Sequence, residues 1–259
     1  MSNTIIIAAG GTGGHVFPAI CLANELEKMN YKIIFSTDTR GLKYLGKYQN
    51  SAIVQETNTS SRLKLYASLL INVLKSFSKI IAIKPKMVIG FGGYPAVPFV
   101  FAAQLIKIKT IIHEQNAVIG KANKLLSKLA TKIAVSFPKT KGIQISDKVM
   151  YIGNPTRFEE KYDIANQPEN DKFTILVFGR SQGAKVFSEK VVESICDISR
   201  SLNIKVFQQG RASDIEKIKN SYDSHNIENN VNSFFSNIDD IYEKSDLVIS
   251  RSGASSLFE

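Results

Sequence analysis

The sequence predicts an α/β fold of two parallel β-sheets flanked by helices. Short apolar runs alternate with segments of helical period along most of the 259 residues. Repeated strand–helix units of this kind build parallel sheets with helices on both faces. A polar, acidic stretch at residues 159–172 interrupts the alternation, which then resumes. Two Rossmann-like domains, 1–157 and 158–259, are therefore expected.

The elements follow in order. Residues 4–9 are an apolar run short enough for one buried strand, and 20–29 carry a helical period. Further strands are expected at 32–37, 87–90, 110–113, 132–135 and 149–152, with helical patterns between most of them. Residues 153–172 open with Gly-Asn-Pro and become charged, which reads as a linker. Beyond it, strands are expected at 173–178, 205–208, 231–234 and 247–250, and a helix begins at 252–259. In open parallel sheets ligands sit beyond the carboxyl ends of the strands. Two sheets facing each other across a cleft would bring both sets of loops to one site.

The bulk chemistry narrows the class. A chain 44% hydrophobic and 22% charged is that of a globular protein. No apolar run reaches the length of a membrane span, and no signal peptide is visible. Cys21 and Cys196 make no metal spacing. Charge is uneven: residues 1–153 hold 20 Lys and Arg against 6 Asp and Glu, whereas the remainder holds 13 against 17. Such asymmetry points to an anionic partner for the first half. Nucleic acid is disfavoured, because no recognised motif or aromatic pattern accompanies the charge.

Three glycine turns end strands: Gly10-Gly11-Thr12-Gly13-Gly14-His15, then 90–95 (Gly-Phe-Gly-Gly-Tyr-Pro), then 179–184 (Gly-Arg-Ser-Gln-Gly-Ala). Such a turn lets backbone N–H groups approach an anion at a helix N-terminus. One turn is weak evidence, since tight turns use glycine for steric reasons. Three at strand ends, in a chain with 16 glycines, favour phosphate binding. None has the Gly-Lys-Ser/Thr of a nucleotide P-loop, and Val16 breaks the dinucleotide spacing. His15 adds a group able to move a proton near neutral pH.

Residues 63–83 form the longest helical pattern. Tyr66, Leu69, Leu70, Val73, Leu74, Phe77, Ile80 and Ile81 share a broad face, opposite Lys64, Ser68, Lys75 and Lys79. The simpler reading is a helix covering the sheet with most of that face. The sharper one is a basic amphipathic element on an anionic membrane surface.

Further strings are more specific: His113-Glu114-Gln115-Asn116, Gly153-Asn154-Pro155-Thr156-Arg157 and Ser250-Arg251-Ser252-Gly253-Ala254. With the opening Gly-Gly-Thr-Gly-Gly-His and the Ser-Gln-Gly-Ala turn, their order resembles that of the MurG family of N-acetylglucosamine transferases. The resemblance runs from Thr4 to Glu259. It implies the GT-B arrangement and inverting transfer of GlcNAc from UDP-GlcNAc to the MurNAc C4 hydroxyl of lipid I, giving lipid II. It also implies a peripheral location at the cytoplasmic face of the bacterial inner membrane, with no cofactor or metal.

By the same resemblance His15 is the candidate general base or a shaper of the acceptor site, and Thr12, Gly13 and Gly14 approach the substrates. Asn116 matches a donor-sugar contact, with Glu114 a structural partner of its loop. Arg157 and Ser181 match positions near the UDP diphosphate, and Phe235 falls near the uracil segment. Ser256 and Glu259 match nucleotide contacts. Arg180 stands where the family has glycine, and the family continues beyond Glu259. The resemblance thus implies an incomplete second domain. The alternative is a fragment that binds lipid or membrane without catalysis.

Overall fold

The computed structural model describes residues 3–56, 60–156, 171–179, 185–235 and 237–258. Two compact units divide the chain: Met1–Arg157 with Gly253–Glu259, and Phe158–Ser252. The expected boundary assigned 158–259 together, whereas the last seven residues pack with the first unit.

The first unit opens with β1 (Thr4–Ala8), α1 (Gly13–Lys28) and β2 (Lys32–Thr37). Next come the one-turn helix α2 (Thr39–Leu42), β3 (Ile53–Val54) and the long α3 (Arg62–Ile83). Then follow β4 (Met87–Gly90), α4 (Val97–Leu105), β5 (Thr110–Glu114), α5 (Lys121–Leu126), β6 (Lys132–Val135) and β7 (Val149–Tyr151). The seven strands pair in parallel in the order β3-β2-β1-β4-β5-β6-β7.

All five residues of β1 are buried, which explains its unbroken apolar run. Successive side chains point to opposite faces. Ile5 and Ile7 meet Val16, Ala19 and Ala23 of α1, while Ile6 and Ala8 join Ile80 of α3, Phe99 and Val100 of α4 and Leu126 of α5. The two cores thus seal both faces of the sheet. Each buried Ile is worth about 2–3 kcal/mol of removed apolar surface.

The second unit contains β8 (Phe173–Phe178), α6 (Val192–Ile198), β9 (Ile204–Gln209), α7 (Ile215–Asp223), β10 (Glu228–Asn232), α8 (Ile238–Glu243) and β11 (Leu247–Ser250). Its parallel order is β10-β9-β8-β11. Ile175, Val177, Val206 and Val231 pack against Val192, Ile195, Ile218 and Tyr222 on one face. Leu176, Phe178, Phe235 and Ile241 form the other core. A last helix, α9 (Ala254–Phe258), sets Phe258 edge-on to Phe137, 5.3 Å between ring centres.

Three expectations are corrected. The first helix begins at Gly13, not residue 20, because the glycine turn is already its first turn. The strand expected at 231–234 lies at Glu228–Asn232. As an edge strand it bonds only β9, so polar residues suffice there, and Phe235 leaves the ladder to enter the core. The third concerns α3. Its inward stripe includes Asn72 and Ser76 with Leu69, Val73 and Ile80, while Tyr66, Leu70, Leu74 and Ile81 are 52–67% exposed. Both buried polar side chains of the stripe are hydrogen-bonded: Gln55 Nε2 donates to Ser76 Oγ at 2.8 Å, and Asn72 Nδ2 to the Glu56 carbonyl at 2.8 Å. The helix therefore covers the core with one stripe only, not with most of its apolar face. Much of its apolar face points outward. By length and composition alone, Leu63–Ile83 is also the one segment among the described residues apolar enough to cross a membrane.

Candidate active site

The chain enters the first sheet at β1, builds outward through β2 and β3, then crosses to β4 on the other side of β1. The loops after β1 and β4 therefore lie at the point where the strand order reverses, on the carboxyl edge where parallel sheets bind ligands. Both loops are glycine turns. Gly92 and Gly93 have φ of +89° and +75°, and a Cβ at Gly93 would lie 2.9 Å from the Gly10 carbonyl oxygen. The two turns thus touch backbone to backbone, which a side chain would prevent.

The β1 turn is held from behind. Asp38, 5% exposed at the end of β2, accepts from the Gly11 N–H at 2.8 Å and the Gly41 N–H at 2.9 Å. Its second oxygen accepts from Arg40 Nε at 2.9 Å. Burial opposes the charge, yet the two N–H groups and the guanidinium outweigh it and hold the carboxyl below its usual range. Sequence reasoning missed Asp38. Its signal was an Asp directly after a strand and three residues before a glycine, the spacing of a helix cap.

Thr12 is the N-cap of α1, but its side chain makes no capping bond. Its Oγ1 instead lies 3.3 Å from His15 Nδ1. Gly13 and Gly14 are the first two helical residues, whose N–H groups have no intrahelical acceptor. His15 is the third residue of the helix, within its first turn, and is half-buried. A Cβ at Gly92 would lie 3.4 Å from its Nε2, so the bare glycine leaves that nitrogen room.

The loop after β5 is organised by one carboxylate. Glu114 is 1% exposed. Its Oε1 accepts from the Asn116 N–H at 3.0 Å and Asn116 Nδ2 at 2.9 Å. Its Oε2 accepts from the Gly120 N–H and Asn123 Nδ2, both at 2.9 Å. Four donors saturate both oxygens, so Glu114 is a scaffold that fixes the Asn116 amide.

His113, 2% exposed, lies behind it. Its Nε2 is 3.1 Å from the Gly153 carbonyl oxygen, and its Nδ1 is 3.0 Å from Gln115 Nε2. The carbonyl requires a donor, so the ring is the neutral Nε2–H tautomer with Nδ1 accepting. Burial lowers its pKa, against the Gly153 bond and the Glu114 charge.

His15, Gly92, Gly93, Tyr94, Glu114, Asn116, Lys121 and Asn123 line a cavity of about 270 Å³. The fold therefore brings His15 and Asn116, 101 positions apart in sequence, to one concavity. Tyr94 and Lys121 are wall residues that the sequence did not single out. In the second unit the Phe235 ring is buried at 7% exposure, 6.4 Å from Phe207, and serves packing. Ser256 is half-buried on α9, within the first unit's residues. Arg157, Arg180, Ser181 and Glu259 lie outside the described residues, as does most of the linker.

The comparisons agree with one another. Residues 5–135 match the glycosyltransferase family 28 N-terminal domain, and residues 174–259 its C-terminal domain. A UDP-N-acetylglucosamine--N-acetylmuramyl-(pentapeptide) pyrophosphoryl-undecaprenol N-acetylglucosamine transferase of Rickettsia bellii is 38% identical over 98% of this chain and 75% of its own length. The enzyme of that name from Allorhizobium ampelinum is 38% identical over 98% of this chain and 72% of its own. Among solved structures, Acinetobacter baumannii MurG superposes with a TM-score of 0.76 at 26% identity, covering 98% of this chain and 73% of that one. The UDP-GlcNAc 2-epimerase of Neisseria meningitidis, at 15% identity and a TM-score of 0.66, shares the fold.

Proposed function

The chain belongs to glycosyltransferase family 28, and on that premise we propose that it transfers GlcNAc from UDP-GlcNAc to the MurNAc C4 hydroxyl of lipid I, with inversion, to form lipid II. The observation that carries the reading is the meeting of His15 and Asn116 on one cavity walled by the glycine turn after β4 and the loop after β5. The acceptor hydroxyl attacks the anomeric carbon on the face opposite UDP, and its proton must leave as the bond forms. The base role requires the neutral tautomer in which Nδ1–H donates to Thr12 Oγ1 and Nε2 takes the proton, and the 3.3 Å contact is compatible with it.

Asn116, whose amide Glu114 holds, is the proposed contact to the donor sugar. The N–H groups at the start of α1 suit the acceptor's diphosphate. Negative charge growing on departing UDP falls to Arg157 and Ser181, a guanidinium and a hydroxyl of the right chemistry. Glu259 and Ser256 are proposed nucleotide contacts. For Phe235 the backbone rather than the buried ring is the part offered to uracil.

A polyprenyl-linked acceptor requires work at a membrane surface. The outward apolar face of α3, on a helix that also carries Lys64, Lys75 and Lys79, suits an anionic bilayer at the cytoplasmic face of the inner membrane. The test is incubation of the purified chain with UDP-GlcNAc and a short-prenyl lipid I analogue. A β-linked disaccharide product supports the reading. A folded chain that binds both substrates and yields none contradicts it.

A further inference from the structure

Beside the glycine turn after β1 lies a cationic side chain that the mechanism above does not use. Arg40 sits on the one-turn helix α2, which Asp38 caps. Its Nε donates to Asp38 Oδ2 at 2.9 Å, and its Nη2 lies 3.7 Å from where a Cβ on Gly11 would stand. Gly11 has a φ of +86°, a bend only glycine adopts without strain. The guanidinium therefore lies over the bend that leads into Gly13 and Gly14.

An isolated surface ion pair would hold such a side chain weakly. This one is anchored on a carboxylate 7% exposed and already fixed by two backbone N–H bonds, while the Arg40 side chain is 68% exposed. Binding through Nε leaves four Nη N–H donors in a planar fork, the geometry that suits phosphate oxygens.

We propose that Arg40 is a phosphate-binding residue of the acceptor side, with Asp38 its positioning residue, and that together they read the diphosphate beside the glycine turn. The inference rests on the transferase reading, whose acceptor carries that diphosphate. It extends the site to the end of β2. In dinucleotide-binding sheets an acid there meets a ribose. Here the acid faces the turn and orients a cation.

The test compares the unsubstituted chain with Arg40→Ala, Arg40→Lys and Asp38→Asn. Two readouts are used: steady-state transfer to pyrophosphoryl and monophosphoryl acceptor analogues, and titration of inorganic pyrophosphate followed at the Gly11–His15 amide resonances. Arg40→Ala is expected to raise the KM for the pyrophosphoryl acceptor about tenfold, and to weaken pyrophosphate binding similarly. The KM values for the monophosphoryl acceptor and for UDP-GlcNAc should move less than about twofold. Arg40→Lys should recover part of the loss, because charge remains without the fork. Asp38→Asn should reproduce the selective loss although Arg40 is still present and should add little to Arg40→Ala in the double variant, whereas disturbance of the turn through the lost Gly11 bond would add to it.

Equal effects on both acceptors, no effect, or absence of pyrophosphate binding at the turn in the unsubstituted chain would overturn the inference. Arg40-dependent pyrophosphate binding without any sugar transfer would sustain it and remove the transferase reading instead.

Discussion

At the scale of single residues, two carboxylates do structural work beside the candidate chemistry. Glu114 accepts four hydrogen bonds while almost wholly buried. Glu114→Gln keeps the shape but replaces one acceptor oxygen with an NH₂ group. Whichever way the amide turns, that group faces donors already in place. The expected cost is about 2–3 kcal/mol of folding stability, read from denaturant unfolding, with weakened UDP-GlcNAc binding because Asn116 loses its anchor. Undiminished stability would show that the donors find other partners. His113, Glu114 and Asn116 were legible as a cluster in the sequence because they are adjacent. Asp38 was not, since nothing in a linear reading shows that the end of β2 lies behind the turn after β1.

At the scale of elements, the central strands were readable because burial on both faces writes a continuous apolar run, as in β1, β4 and β8. The failures have a common physical cause. β3 has two residues and no periodicity, and β10 is a polar edge strand that bonds one neighbour. For α3 the period was correct, but hydrophobicity cannot say which environment an apolar face meets. Protein interior and bilayer both favour it. The deciding residues are Asn72 and Ser76, polar yet buried against residues 55 and 56.

The same helix gives a prediction. Leu70→Glu with Leu74→Glu alters side chains 63% and 64% exposed. Thermal unfolding should change little, as surface substitutions usually cost within about 0.5 kcal/mol. Sedimentation with anionic phospholipid vesicles should fall by tenfold or more, since roughly 1.5–3 kcal/mol of apolar burial is lost per side chain. Equal sedimentation of both proteins would remove α3 from the docking surface.

At the scale of the whole molecule, the first unit is self-contained: its sheet, both cores and the His15–Asn116 cavity come from one compact set of residues. His113 ties the end of β5 to Gly153, where that unit's chain departs. Its pKa is lowered from 6.5 by burial. The unfolded chain therefore takes up a proton at this position at a pH where the folded chain does not. Its stability contribution is complete above about pH 6.5 and is lost as pH falls through the folded-state pKa. Unfolding free energies measured between about pH 7.5 and 5 should decline, and His113→Gln should flatten that decline. An unchanged slope would mean that the ring is not the group responsible.

The most direct test of the central claim, that His15 carries the transfer chemistry at this cavity, is a single-turnover measurement on His15→Ala with saturating UDP-GlcNAc and a lipid I analogue. UDP-GlcNAc binding is measured on the same sample by calorimetry. The account predicts transfer reduced by at least about a hundredfold, the usual scale for loss of a general base, with donor affinity nearly intact. Transfer retained at close to the original rate would contradict it, and would leave His15 as a residue that only shapes the turn.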